Sequence, residues 1–171
     1  MEFKQLISLV TEQKDYQDWK CRHPNAALVH VFVMVEPNRA EQYDVGYYDQ
    51  TTKQMASFTV TRAKEYLGVH EHDEILKDPK HQIKPLVPDD VHVELMEALD
   101  IAVKLQQHKY KKDIALKHVL ILQKLPIGQV WNITFVTQQF QTLNIKINAK
   151  TGKVIEDSLQ PLFQFGPDKK R

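Results

Sequence analysis

The sequence predicts an α+β chain built as two repeated modules, each a helix packed on a three- to four-stranded antiparallel meander sheet. Three observations lead there. First, Ala27-Leu28-Val29-His30-Val31-Phe32-Val33-Met34 aligns without a gap on Ala115-Leu116-Lys117-His118-Val119-Leu120-Ile121-Leu122, an offset of 88 residues that keeps Ala, Leu, His and Val in place. Second, the same offset carries Tyr43-Asp44-Val45-Gly46-Tyr47-Tyr48 onto Trp131-Asn132-Ile133-Thr134-Phe135-Val136, both alternating at period two as half-buried strands do. Third, it carries the helical stripe Phe3, Ile7, Val10 onto Val91, Leu95, Ala98.

The elements follow in chain order. Phe3, Leu6, Ile7 and Val10 put one apolar stripe on a first helix that runs on toward Trp19 and ends at Arg22-His23-Pro24-Asn25. Residues 28–35 are apolar on both faces apart from His30, which predicts a central strand. Tyr43 to Tyr48 alternate. Met55 to Val60 read as a third strand and as the edge of that module, with Ala56, Phe58 and Val60 one residue out of phase with their counterparts. A bulge or a register slip is needed there. Residues 62–87 are a charged linker with Pro79 and Pro85, in which Arg62 to Leu67 suggests a helical turn. In the second module Pro88-Asp89-Asp90 offers an acidic cap to a helix carrying Val91, Leu95, Ala98, Leu99, Ala102 and Val103. Strands over residues 116–122, 131–136 and 143–148 then repeat the meander. The divisions are therefore 1–61, 62–87, 88–165 and a polar tail, 166–171.

Composition narrows the function classes. The chain has 171 residues, 23 Lys and Arg against 22 Asp and Glu, and 42% hydrophobic residues, the range of an ordinary folded domain. A formal net charge of +1 supplies no global field toward nucleic acid or lipid. No run approaches the roughly 18 apolar residues of a membrane helix, and the first twelve residues lack a signal-peptide pattern. Cys21 is the single cysteine, so a reducing cytoplasm is the expected compartment. There is no phosphate-binding glycine loop, no serine elbow and no cysteine pair for zinc. No cofactor, nucleic-acid partner or membrane is expected.

Val130-Trp131-Asn132-Ile133-Thr134-Phe135, followed by Leu143-Asn144-Ile145-Lys146-Ile147-Asn148-Ala149-Lys150-Thr151-Gly152-Lys153-Val154-Ile155, resembles the end of a PepSY domain. In that family a Trp strand precedes a strand ending in Asp-Ala-x-Thr-Gly-x-Val; here Asn148 stands at the Asp position. The likeness spans residues 90–155 and is weaker in the first module, where Thr61-Arg62-Ala63-Lys64 replaces the Thr-Gly turn. The resemblance implies a cystatin-like sheet wrapped on a helix, and a role in peptide binding or peptidase regulation. It supplies no catalytic residues.

Candidate site residues come in three groups. His30 and His118 occupy equivalent positions among apolar neighbours and are read as ligand-binding; a core histidine with both ring nitrogens bonded is the competing reading. Asp44, Asp49 and Tyr47 are the ionisable companions an acid/base site would need. Tyr43, Tyr47 and Trp131 offer stacking surfaces, although alternation at period two is also what a sheet core produces. His70 and His72 sit at i and i+2 beside Glu71, Asp73 and Glu74, with His81 downstream, and an extended segment would point them the same way toward a divalent metal. A solvated charged loop is the plainer reading of that cluster. The expected function is binding, not catalysis: an unidentified protein or peptide partner is taken on a sheet edge or concave face. The alternative is a small-molecule binder or enzyme with a pocket between sheet and helix, and homodimerisation is compatible with both.

Overall fold

The computed structural model describes residues 1–35, 42–72 and 83–162. Helices α1 (Phe3–Thr11) and α2 (Lys14–Arg22) precede strands β1 (Ala27–Val35), β2 (Gln42–Tyr48), β3 (Met55–Thr61) and β4 (Tyr66–His72). A 3-10 turn at Pro88–Asp90 leads to α3 (Leu95–Lys109), then β5 (Ala115–Leu125), β6 (Gly128–Thr137), β7 (Gln141–Asn148) and β8 (Val154–Pro161). All eight strands form one antiparallel sheet in the order β4-β3-β2-β1-β5-β6-β7-β8. The fold is α+β, with consecutive strands paired as neighbours everywhere except at the centre. There β1 meets β5, pairing Phe32 with Ile121, Val33 with Leu120 and Val35 with His118.

The three helices lie on one face of this sheet. Phe3, Leu6 and Val10 of α1, Trp19 of α2 and Leu95, Ala98, Leu99 and Ala102 of α3 share a single core with Val31, Val45, Phe58, Leu120, Ile133 and Ile145. The first helix is two helices, not one. Counted at the helical period, Trp19 would fall on the side of α1 opposite Val10, so a straight helix would leave it in water. Gln13 breaks the run in an extended conformation, and α2 re-aims Trp19 at Phe58. The second helix also starts later than its apolar pattern suggests. Val91 and Val93 precede it in non-helical backbone, with His92 and Val93 donating to the Ala149 carbonyl. Asp90 binds Lys150 instead of capping a helix.

Tyr66–His72 forms an outer strand where a helical turn and linker are expected, so Met55 to Val60 is an interior strand and not the edge. The two edges are β4 and β8. Tyr43, Val45 and Tyr47 pack on the helix side, as do Trp131, Ile133 and Phe135, in keeping with the 88-residue offset. The neighbouring strands do not keep it. Val31 and Val33 face the helices with Leu120 and Leu122, their pairing partners, whereas the offset would select Val119 and Ile121. The phase change at Ala56, Phe58 and Val60 is likewise present, and β2 and β3 pair without a bulge. A bulge falls instead in β1, between Leu28 and His30.

The turn after β7 takes the form expected of Asn148-Ala149-Lys150-Thr151-Gly152. The Asn148 Oδ1 accepts from the N–H groups of Lys150 and Thr151 at 2.9 and 3.0 Å, and Gly152 adopts φ 72°. Asparagine does here what aspartate would, since the turn needs only an oxygen at that place. Trp131 locks this region by donating from Nε1 to the Val93 carbonyl at 2.8 Å. Glu94, in the linker to α3, accepts from the Phe3 N–H at 2.8 Å and ties the start of α1 to the other half of the molecule.

Candidate functional site

The sheet face opposite the helices has an unusual centre. By register, His30, Phe32 and Met34 of β1 share that face with Gln123, Ile121 and Val119 of β5. Phe32, Val119 and Ile121 are half-buried and Met34 is 37% exposed. The strands on either side are polar on the same face. Thr59 donates to Asp44 at 2.6 Å on one flank; on the other, Asn144 donates to Asn132 and Thr134 at 2.7 and 2.9 Å, and Lys146 pairs with Glu156 at 2.9 Å. An antiparallel sheet with one wet face carries polar residues along it, and here the flanks follow that rule while the middle does not. At one end, Ile83 packs over Val29, Tyr48 and Met55.

His30 lies at the rim of this strip, over Gly46. A Cβ on residue 46 would fall 2.1 Å from its Cε1 and 2.4 Å from its Nε2. Glycine at 46 is therefore what lets the imidazole lie flat on β2. Asp44 shares the face but is engaged by Thr59.

His118 is on the other side of the sheet. Its ring sits 4.6 Å from that of Phe135, and burial holds its pKa below the usual histidine value. Among the described residues neither ring nitrogen has a hydrogen-bond partner, and the ring is half-buried. It lines a groove of about 370 Å³ between α3 and β5–β6, together with Val103, Gln106, Gln107, Lys111, Ile114, Ala115 and Phe135. The two histidines are thus not equivalent: the one-residue difference in facing between β1 and β5 puts them on opposite faces.

The other candidates separate further. Tyr43, Tyr47 and Trp131 are buried under the helices. Burial raises the Tyr47 phenol, as does its contact with Tyr16, whose ring lies 4.9 Å away. His70 and His72 occupy alternate positions of β4, paired with Ser57 and Met55. Glu71 falls between them and forms an ion pair with Arg22 at 2.7 Å. Asp73, Glu74 and His81 lie outside the described residues. Among the described residues no group of three His, Cys, Asp or Glu side chains is placed to hold a metal ion.

One polar cluster was not anticipated as a unit. At the end of α2, His23 stacks on Trp19 at 4.6 Å and approaches Asp49 at 3.5 Å and Thr52 at 3.2 Å. Asp49 is 1% exposed. Burial pushes its carboxyl up, but the N–H groups of Thr51 and Thr52, aided by His23, outweigh that and hold it below the ordinary carboxylate value. The Asp49-Gln50-Thr51-Thr52 turn signals the acceptor in the sequence; nothing there names His23 as its partner. The cluster pins the β2–β3 turn to α2.

No family model matches the chain, and no curated protein matches it. Among solved structures it is similar to the Bacillus megaterium YpeB C-terminal domain, with 13% identity over 92% of this chain and 95% of that one. The TM-score is 0.22, and so loose a superposition carries no argument about fold or function. Among the described residues no helix is long and apolar enough to cross a membrane.

Proposed function

We propose that this chain is a non-catalytic binding module, acting in a reducing cytoplasm, that takes an extended apolar segment of a protein partner on the helix-free face of its sheet. The observation that carries this is the apolar strip of Phe32, Met34, Val119 and Ile121 between two polar flanks. Leaving such a strip in water forfeits about 25 cal/mol for each Å² of apolar surface a partner would cover. A partner strand with apolar side chains at alternate positions matches a strip laid across a pleated surface.

The edges are less suited to strand addition. A bulge disturbs β4 opposite Thr59 and Val60, where Gly68 has φ 136°, and another disturbs β8 opposite Lys146 and Ile147 before the strand ends at Pro161. Bulges and proline blunt an edge. The same reading takes the two halves, each a helical segment followed by four strands, as copies of one PepSY-like unit. A peptidase is the partner class that the likeness favours.

Peptide display against the full chain tests the proposal. Selected peptides are expected to carry apolar residues two apart, and Met34→Lys is expected to weaken them by about tenfold or more, with the melting temperature unchanged. Equal binding by the wild type and Met34→Lys would overturn it.

A further inference from the structure

On the helix side of the sheet, we infer that the His118 groove is a binding site for a small organic carboxylate with a hydrocarbon body. This does not rest on the open-face reading, because the two surfaces lie on opposite sides of the sheet.

The groove combines an apolar body with unspent polar groups. Phe135, Val103, Ile114 and Ala115 form its hydrocarbon lining, and its volume of about 370 Å³ falls within the range of small-molecule sites. Three of its polar side chains have no protein partner among the described residues: the His118 imidazole, the Lys111 ammonium and the Gln107 amide. Each offers an N–H donor. Among the described residues the lining holds no carboxylate, so nothing in the groove neutralises Lys111.

The end of α3 points its last carbonyls toward this region, and those would repel an anion. One of them, that of Gln106, is already occupied, as are two carbonyls of the following loop. The Gln106 carbonyl accepts from the Tyr110 N–H at 2.8 Å, and the Gln106 amide donates to the carbonyls of Tyr110 and Asp113 at 3.2 and 2.9 Å. The remaining donors therefore decide the sign of the ligand. A carboxylate accepts from Lys111, Gln107 and His118, and its hydrocarbon part displaces water from Phe135 and Ile114.

The probe is 4-phenylbutyrate, compared with 4-phenyl-1-butanol, titrated into the full chain and followed by NMR at the Ile114 and Val103 methyls and the His118 ring. Saturable shifts centred on these residues are expected, with the alcohol weaker by about tenfold, as loss of a charge-assisted contact implies. Lys111→Met, a change at an exposed position that leaves the core intact, is expected to bring acid and alcohol together. Val103→Phe is expected to fill the groove and remove binding of both. Shifts that do not saturate, shifts centred elsewhere, or an alcohol that binds as well as the acid would each overturn the inference. So would a Lys111→Met variant that keeps the preference for the acid.

Discussion

The two halves of the molecule solve the same packing problem with different side chains. In the first, two nine-residue helices cover four strands, and aromatic rings supply the bulk: Tyr16, Trp19, Tyr47 and Phe58 meet at centroid distances between 4.9 and 6.0 Å. In the second, one fifteen-residue helix lies over aliphatic ladders, Leu120 and Leu122, Ile133, Leu143, Ile145 and Ile147, with the rings of Trp131 and Phe135 buried among them. Short helices present little surface each, so the first half fills the space with rings and closes its end with a buried His23–Asp49 pair. The long helix needs no such closure, and its C-terminal end leaves the groove instead. The aromatic half thus depends on a few large contacts and the aliphatic half on many small ones.

That contrast can be broken by substitution. Phe58→Ala removes a ring that touches three others and is expected to cost about 5 kcal/mol, whereas Phe135→Ala, the same deletion in the other half, where the ring meets the His118 imidazole and aliphatic neighbours, is expected to cost about 3 kcal/mol. Chemical denaturation of both variants checks this, and similar costs would dissolve the distinction. Gly46→Ala comes next. Its methyl group meets the His30 ring, so a loss of about 1–3 kcal/mol is expected. Adding His30→Ala to the same chain is expected to recover most of it, a coupling that a double-mutant cycle measures.

The smallest effect sharpens the role of the buried pair. The Asp49 carboxyl titrates below its ordinary value of 3.8 in the folded chain, so the folded state binds fewer protons than the unfolded one. Its contribution is complete above about 3.8 and is lost as the pH falls through the lower folded value. Melting curves between neutral pH and pH 3 should therefore converge for the wild type and Asp49→Asn as acidity rises. A gap between them that stays constant with pH would show that the carboxylate charge contributes nothing.

The strand pattern of the sequence made most of the sheet legible, because period-two alternation at Tyr43–Tyr47 and Trp131–Phe135 reports facing directly. The fourth strand of the first half was not legible. Tyr66-Leu67-Gly68-Val69-His70-Glu71-His72 is interrupted by glycine and charge, and an edge strand with a bulge has little apolar pattern to display. The kink between α1 and α2 was readable only by counting where Trp19 would land. For the candidate sites, matching words misled: His30 and His118 fit the same motif, yet a shift of one residue in facing sends them to opposite faces. An ungapped alignment of apolar words cannot see such a shift, because both neighbours in a central strand are apolar. His23 and Asp49 were separated by two elements and carried no shared signal.

The β1–β5 seam has a kinetic consequence. Each of the other ladders joins strands consecutive in the chain, closing a short connection that costs little chain entropy. The seam alone pairs residues 30–35 with residues 118–123, across the whole of β2, β3, β4 and α3. Contacts that span so much sequence form late, after the local hairpins have organised. The first meander is thus able to assemble while the second is still being synthesised, and until β5 arrives the inner edge of β1 stands open to any other strand that finds it.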